Sequence, residues 1–171
     1  SLARFHGGGR GQEGRLDQAL ATSGVKTIRT DGLAMGFARI SHGRTSIVLD
    51  AAPPPMGAAS AQAHASTLAV EITSGRRPLV VNCGSGRAFG QNWRRAGRAT
   101  ASHSTLALEG YSSARLAPAG AEMGRAREFL EDGPRRVVLD WQADDATTGV
   151  LASHDGWLRS HGIVHARSLR L

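Results

Sequence analysis

Apolar and polar positions alternate along much of the chain. Leu68, Val70 and Ile72 fall on one side of a period of two, and Thr67, Ala69, Glu71 and Thr73 on the other. That alternation marks a half-buried β-strand, because successive side chains of an extended backbone point to opposite faces. Leu33, Met35 and Phe37 repeat it in residues 33–41, and residues 44–51 follow after the hairpin turn Ser41-His42-Gly43. Residues 64–75, 76–86, 102–110, 134–144, 147–157 and 162–171 read as further strands with turn residues between them. One stretch, residues 15–24, has helical spacing: Leu16, Ala19 and Leu20 stand at i, i+3 and i+4, and Gly24 is the stop.

Pro53, Pro54 and Pro55 rule out a ladder strand where they stand. Residues 87–100 read as a polar, arginine-rich loop. Residues 111–134 read as irregular, with one helical turn near 126–133. Strands do not alternate with helices, which argues against a parallel α/β sheet. The pattern predicts an all-β fold: an antiparallel β-sandwich of roughly 8 to 12 strands with a short N-terminal helix.

Composition changes this picture little. The 171 residues suit one domain, and 22 glycines with few aromatics suit short strands and tight turns. The net charge is +7, and Lys26 is the only lysine, so the positive charge is almost entirely arginine. Two readings follow: an anionic partner, or the joint rise of arginine, alanine and glycine in a GC-rich genome. The arginines are spread along the chain and no nucleic-acid motif carries them, so no specific nucleic acid is expected. Cys83 is the single cysteine, which excludes an intrachain disulfide. No stretch approaches the roughly 18 apolar residues of a membrane span, so no membrane partner is expected. The chain opens on "SLARFHGGG" without methionine and closes within an apparent strand, so a fragment of a longer protein is expected. Bacterial periplasm and cytoplasm both remain open.

Seven histidines are the main chemical resource. His64 and His103 form no local metal motif, but ligands on neighbouring strands can converge from distant positions. Asn82 and Cys83 lie between them in sequence. "GSGRAFG" and "HGGGRG" are turns, since neither joins a strand to a helix N-terminus. No G-x-S-x-G supports a serine nucleophile. Glu131-Asp132 and Asp144-Asp145 are adjacent carboxylates in turns, unlike a glycosidase pair facing across a cleft. Tyr111, the only tyrosine, is either a proton donor or a strand-edge aromatic. "SHDGWLRSHGIVHARSLRL" gathers His154, His161, His165, Trp157, Arg159 and Arg167. That cluster reads as a sugar-binding surface or as the cover of a sandwich end.

Three stretches taken in order, "AHASTLAVEITSGRRPLVVNCGSG", "RRAGRATASHSTLALEG" and "SHDGWLRSHGIVHARSLRL", carry a resemblance. They resemble the C-terminal β-sandwich domain of heparinase II/III-like proteins, which are polysaccharide lyases and their relatives. "FHGGGRGQEGRLDQAL" looks like that family's connector. The resemblance implies an interdomain connector over residues 1–14 and a large, super-sandwich-type β domain over 15–171. It also implies a missing N-terminal α/α toroid as the domain's own partner, and an acidic, uronate-containing polysaccharide as substrate. The implied reaction is β-elimination: a base takes the C5 proton, the departing O4 is protonated, and the adjacent carboxylate is neutralised meanwhile. The fragment alone is expected to be inactive. The alternative is a carbohydrate-binding or scaffold domain with degenerate catalytic positions.

The family's sandwich carries a His-x-His-x-Asp segment, a carboxylate at the end of the next strand, and a histidine in an Arg-x-Thr-x-x-His segment. In this chain the matching residues are Gln62, His64 and Ser66, then Asn82, then His103 in "RATASHST". Gln62 stands where the catalytic histidine is expected and cannot take up a proton. His64, His103 and Asn82 match the ligands of a structural Zn²⁺, with the neutral Asn82 a weaker ligand than carboxylate; the alternative is that the two histidines hydrogen-bond each other or neighbours inside the sandwich and hold the geometry without metal. Arg98, Gln62 and His64 are expected nearest the cleft, with Arg98, His154 and Trp157 binding substrate.

Overall fold

The computed structural model describes residues 14–24, 31–117, 128–144 and 147–171. Almost all of the expected connector lies outside them, as do the first residues of the expected helical turn near 126–133. The fold is mostly β, with a few short helices. A first helix, α1 (Arg15–Ser23), stands where the helical spacing predicted it and ends on left-handed Gly24. Five strands follow: β1 (Gly32–Ala34), β2 (Phe37–His42), β3 (Thr45–Asp50), β4 (Val70–Ser74) and β5 (Arg77–Val80). They form one antiparallel sheet in sequence order.

Helix α2 (Gln91–Arg98) comes next, then a two-stranded pair, β6 (Arg115–Leu116) and β7 (Leu130–Asp132). The third sheet holds β8 (Val137–Ala143), β9 (Thr148–Trp157) and β10 (Ile163–Arg170), ordered β10-β9-β8, with α3 (Leu158–His161) joining the last two. No helix among the described residues is long and apolar enough to cross a membrane.

Register explains the core. Ile40 pairs with Ile47 and Ile47 with Ile72; Ala38 pairs with Leu49 and Leu49 with Val70. These two cross-strand rows meet Val150 and Ala152 of β9, flanked by Val137, Leu139 and Leu169, in one apolar cluster. Both larger sheets therefore bury the same core, and each fully buried Leu or Ile contributes about 2 kcal/mol.

Several segments differ from the sequence pattern: residues 130–132, expected within a helical turn, form strand β7, and residues 33–41, expected as one strand, are split into β1 and β2 by a turn at Met35-Gly36. Residues 91–98 are helical rather than a loop. The helix has no apolar stripe to detect, because its buried residues are Gly97 and Arg98. A Cβ on Gly97 would stand 2.8 Å from the Gly84 carbonyl oxygen, so glycine there admits a close backbone approach. Residues 64–69 alternate like a strand but form a buried, turn-rich approach to β4. Leu68, fully buried, has φ 61, a left-handed conformation unusual for leucine. Its N–H donates to Asp50 O at 2.8 Å, and its carbonyl accepts from Arg167 Nη1 at 2.9 Å. Residues 102–110 form no strand; a short 3₁₀ turn (Thr100–Ser102) leads into them, and a single bridge joins Leu108 to Tyr111. Serine and threonine side chains there bond to backbone instead, which competes with a ladder.

Candidate functional site

The turn-rich approach to β4 and the segment after α2 are laced together by buried polar side chains. Arg98, the last residue of α2, is 1% exposed. Its Nε donates to Ala63 O at 2.8 Å, Nη2 to Ser60 O at 2.8 Å and Nη1 to Glu128 O at 2.9 Å. Burial lowers its pKa to about 10, with Arg94 and Arg95 adding to the shift and Glu128 opposing it. The guanidinium remains charged at neutral pH and is satisfied by carbonyl dipoles. Ala65 N–H donates to Arg98 O at 2.9 Å, and Thr100 Oγ1 donates to Ala65 O at 2.9 Å.

His64 and His103 meet inside this lacing, both buried, with Nδ1 of His64 3.0 Å from Nε2 of His103. The second shared contact sets their tautomers. His103 Nδ1 lies 2.8 Å from Ala99 O, and a carbonyl only accepts, so Nδ1 carries the proton. Burial holds the His103 pKa below the usual histidine value, so the neutral ring offers Nε2 as an acceptor. His64 Nδ1–H is then the donor.

Asn82 is buried too. Its Oδ1 accepts from Ser104 N–H at 2.8 Å, and its Nδ2 lies 3.4 Å from Val70 O and 3.5 Å from Glu71 Oε1. It brackets β4 to the segment after α2. Gln62 lies two residues before His64 in an exposed turn. A structural Zn²⁺ asks for four donors. The matching residues supply two imidazoles that hydrogen-bond each other and an amide oxygen already accepting from backbone. Among the described residues, no group of three or more His, Cys, Asp or Glu stands ready to hold a metal. This donor set does not fit that ion.

His154 and Trp157 lie apart from Arg98, in β9. They are 2% and 1% exposed, packed with His165 of β10. Gly156 N–H points at His154 Nδ1 at 3.0 Å, so His154 Nε2 carries the proton and meets His165 Nδ1 at 3.2 Å. Burial and the neighbouring His165 pull the His154 pKa down to about 4, with Asp155 opposing. The Trp157 indole N–H is buried without a hydrogen-bond partner among the described residues. Both side chains therefore present their faces to the interior.

A cleft of about 550 Å³ opens above Arg98. Asn92, Arg95 and Ala96 line it from α2, with Tyr111, Ser112 and Arg115 opposite. Arg95 pairs with Glu128, and Arg115 Nη2 lies 3.2 Å from Glu131 Oε2. Tyr111 is 59% exposed and packs edge-on against His161 at a ring separation of 4.5 Å. The sequence reading named Arg98 and Tyr111 but not Asn92, Arg95 or Arg115. Helical periodicity over 91–99 would have aligned Asn92, Arg95, Ala96 and Ala99 on one face. The cleft can offer guanidinium donors, an amide and an exposed phenol to an anionic, hydroxyl-rich ligand.

A family model described as "Heparinase II/III-like, C-terminal" matches residues 25–171. FtsZ-localized protein C of Caulobacter vibrioides (strain NA1000 / CB15N) is similar, at 31% identity over 173 residues covering 99% of this chain. The chain spans 29% of that relative's length. No solved structure matches it.

Proposed function

This chain belongs to the heparinase II/III-like family as a C-terminal domain, and from that premise we propose that it is the glycan-holding wall of a polysaccharide lyase. The substrate is an acidic, uronate-containing polysaccharide, and the two larger sheets form the family's large antiparallel sandwich. The observation that carries this reading is the arginine-lined cleft with Tyr111 at its rim.

In β-elimination, negative charge develops on the uronate carboxylate as the C5 proton leaves. A guanidinium beside that carboxylate lowers the barrier, and Arg95 and Arg115 have the chemistry for it. Exchanging Glu128 or Glu131 for a substrate carboxylate keeps each arginine paired. Gln62 is not among the residues lining this cleft, and its amide cannot act as a base. The base and the proton donor then belong to an N-terminal toroid, which makes this domain inactive by itself.

The test is elimination by the intact protein on a panel of uronate polysaccharides, followed by ultraviolet absorbance of the unsaturated product. Activity on one substrate, with kcat and kcat/KM both lowered about tenfold or more in Arg115→Ala, supports the reading. A flat trace across the panel from folded protein overturns the catalytic part.

A second reading has its own support. The similar Caulobacter protein is named for localisation with FtsZ, and Gln62 stands where a catalytic histidine is expected. In that reading the domain is a non-catalytic glycan-binding or scaffold module of an FtsZ-localized protein. A fluorescent fusion that follows FtsZ, from a protein inactive on every glycan tested, favours it. Diffuse signal counts against it.

A further inference from the structure

The His64–His103 pair shows how this chain builds the position where its family carries a metal. We infer that the two imidazoles close directly on each other, and that this hydrogen-bonded clasp stands in for a structural zinc. The domain then folds and holds its cleft without a metal ion. This inference is independent of whether the intact protein is a lyase.

Direction of the nitrogens is the first argument. Two zinc–nitrogen bonds of about 2.0–2.1 Å at a tetrahedral angle hold their nitrogens about 3.3 Å apart, both lone pairs turned to the ion. Here the separation is 3.0 Å, and the donor N–H of one ring is aimed at the lone pair of the other. The rings meet edge-on, with an interplanar angle of 73°. The Ala99 carbonyl fixes His103 as the acceptor, so the contact between the rings is a hydrogen bond donated by His64.

Asn82 supplies the second argument. Its amide is already used: the oxygen receives Ser104 N–H, and the nitrogen faces Val70 O and Glu71. Turning that oxygen to an ion would weaken its hold on the half-buried Ser104 N–H, the bond that ties Asn82 to the segment after α2. An asparagine with this bracket suits a site that carries no dication.

The third argument is mechanical. A structural metal joins segments that are distant in sequence. These same segments are already joined by Arg98 on the Ser60 and Ala63 carbonyls, by Ala65 N–H on Arg98 O, and by Thr100 Oγ1 on Ala65 O. The histidine clasp completes that lacing.

The experiment is elemental analysis of the intact protein, purified without a metal-affinity tag from zinc-replete medium, together with thermal unfolding. The expected result is zinc far below one per chain, and a Tm that moves by less than about 1 °C with either a strong chelator or excess zinc. Stoichiometric zinc that a chelator removes, with a clear fall in Tm, overturns the inference. Variants sharpen it. His64→Ala and His103→Ala should each lower Tm, and the double variant should lie near the worse single one, whether or not chelator is present. If the variants fail to fold, zinc content of the unaltered protein still decides.

Discussion

Two buried histidine pairs hold different parts of this molecule, and they are built in opposite senses. In the first, a backbone carbonyl, Ala99 O, makes His103 an acceptor for His64. In the second, a backbone N–H, that of Gly156, occupies His154 Nδ1 and makes its other nitrogen the donor to His165. The first pair spans 39 residues and clasps two irregular segments. The second is a cross-strand pair in register within the β9–β10 ladder. A ladder would hold β9 and β10 together without its histidines. The irregular segments have no ladder, so side chains supply their connection. The same residue type is therefore a fastener in one place and packing in the other.

That contrast breaks most visibly at His103. His103→Ala should destabilise by about 3 kcal/mol, because it opens a cavity and strands both His64 Nδ1–H and the Ala99 carbonyl. Denaturant unfolding measures it, and a loss under about 1 kcal/mol would mean that the arginine and threonine bonds suffice.

Acid should expose the second pair nearly as strongly. His154 titrates at about 4 in the folded protein against 6.5 ordinarily. The unfolded chain therefore binds the proton more readily, and the stability this group confers is complete above about 6.5. It is lost as pH falls from about 6.5 towards about 4, amounting to about 3 kcal/mol. Unfolding free energies measured across that window should slope downward with acid, and His154→Gln should flatten the slope.

Gly156→Ala should cost about 2 kcal/mol through crowding alone. A Cβ there would meet Ser113 O at 2.8 Å, Pro134 Cγ at 2.9 Å and His154 Nδ1 at 3.0 Å. It should also change the His154 tautomer, read by nitrogen NMR shifts, while leaving His103 unchanged.

Trp157→Phe should have the smallest effect, about 1 kcal/mol. It removes an indole N–H that has no partner among the described residues, so the lost ring volume is opposed by relief of an unmet donor. A larger loss in calorimetry would point to a bonded partner for that N–H.

Much of this was legible in the chain itself. The period of two located β2, β3, β4, β8, β9 and β10, because half-buried strands leave that imprint. Leu16, Ala19, Leu20 and Gly24 located α1. The resemblance of three stretches to the family, and not their spacing, marked His64, Asn82 and His103 as matching positions. Helix α2 was hidden because it buries Gly97 and Arg98 rather than an apolar stripe. Residues 64–69 were misleading, since burial on all sides lets a turn-rich segment alternate as a strand does.

The sequence by itself determined the antiparallel sheets, the family and the residues available for chemistry, because local periodicity and motif residues are written along the chain. Tertiary structure decided what those residues do. It turned two histidines to face each other, bent the Asn82 amide onto Ser104, sank Arg98 among carbonyls and assembled the arginine cleft from α2 and the 111–116 segment. Hydrogen-bond direction and burial depend on groups far apart in sequence, and only the folded chain brings those groups within bonding distance.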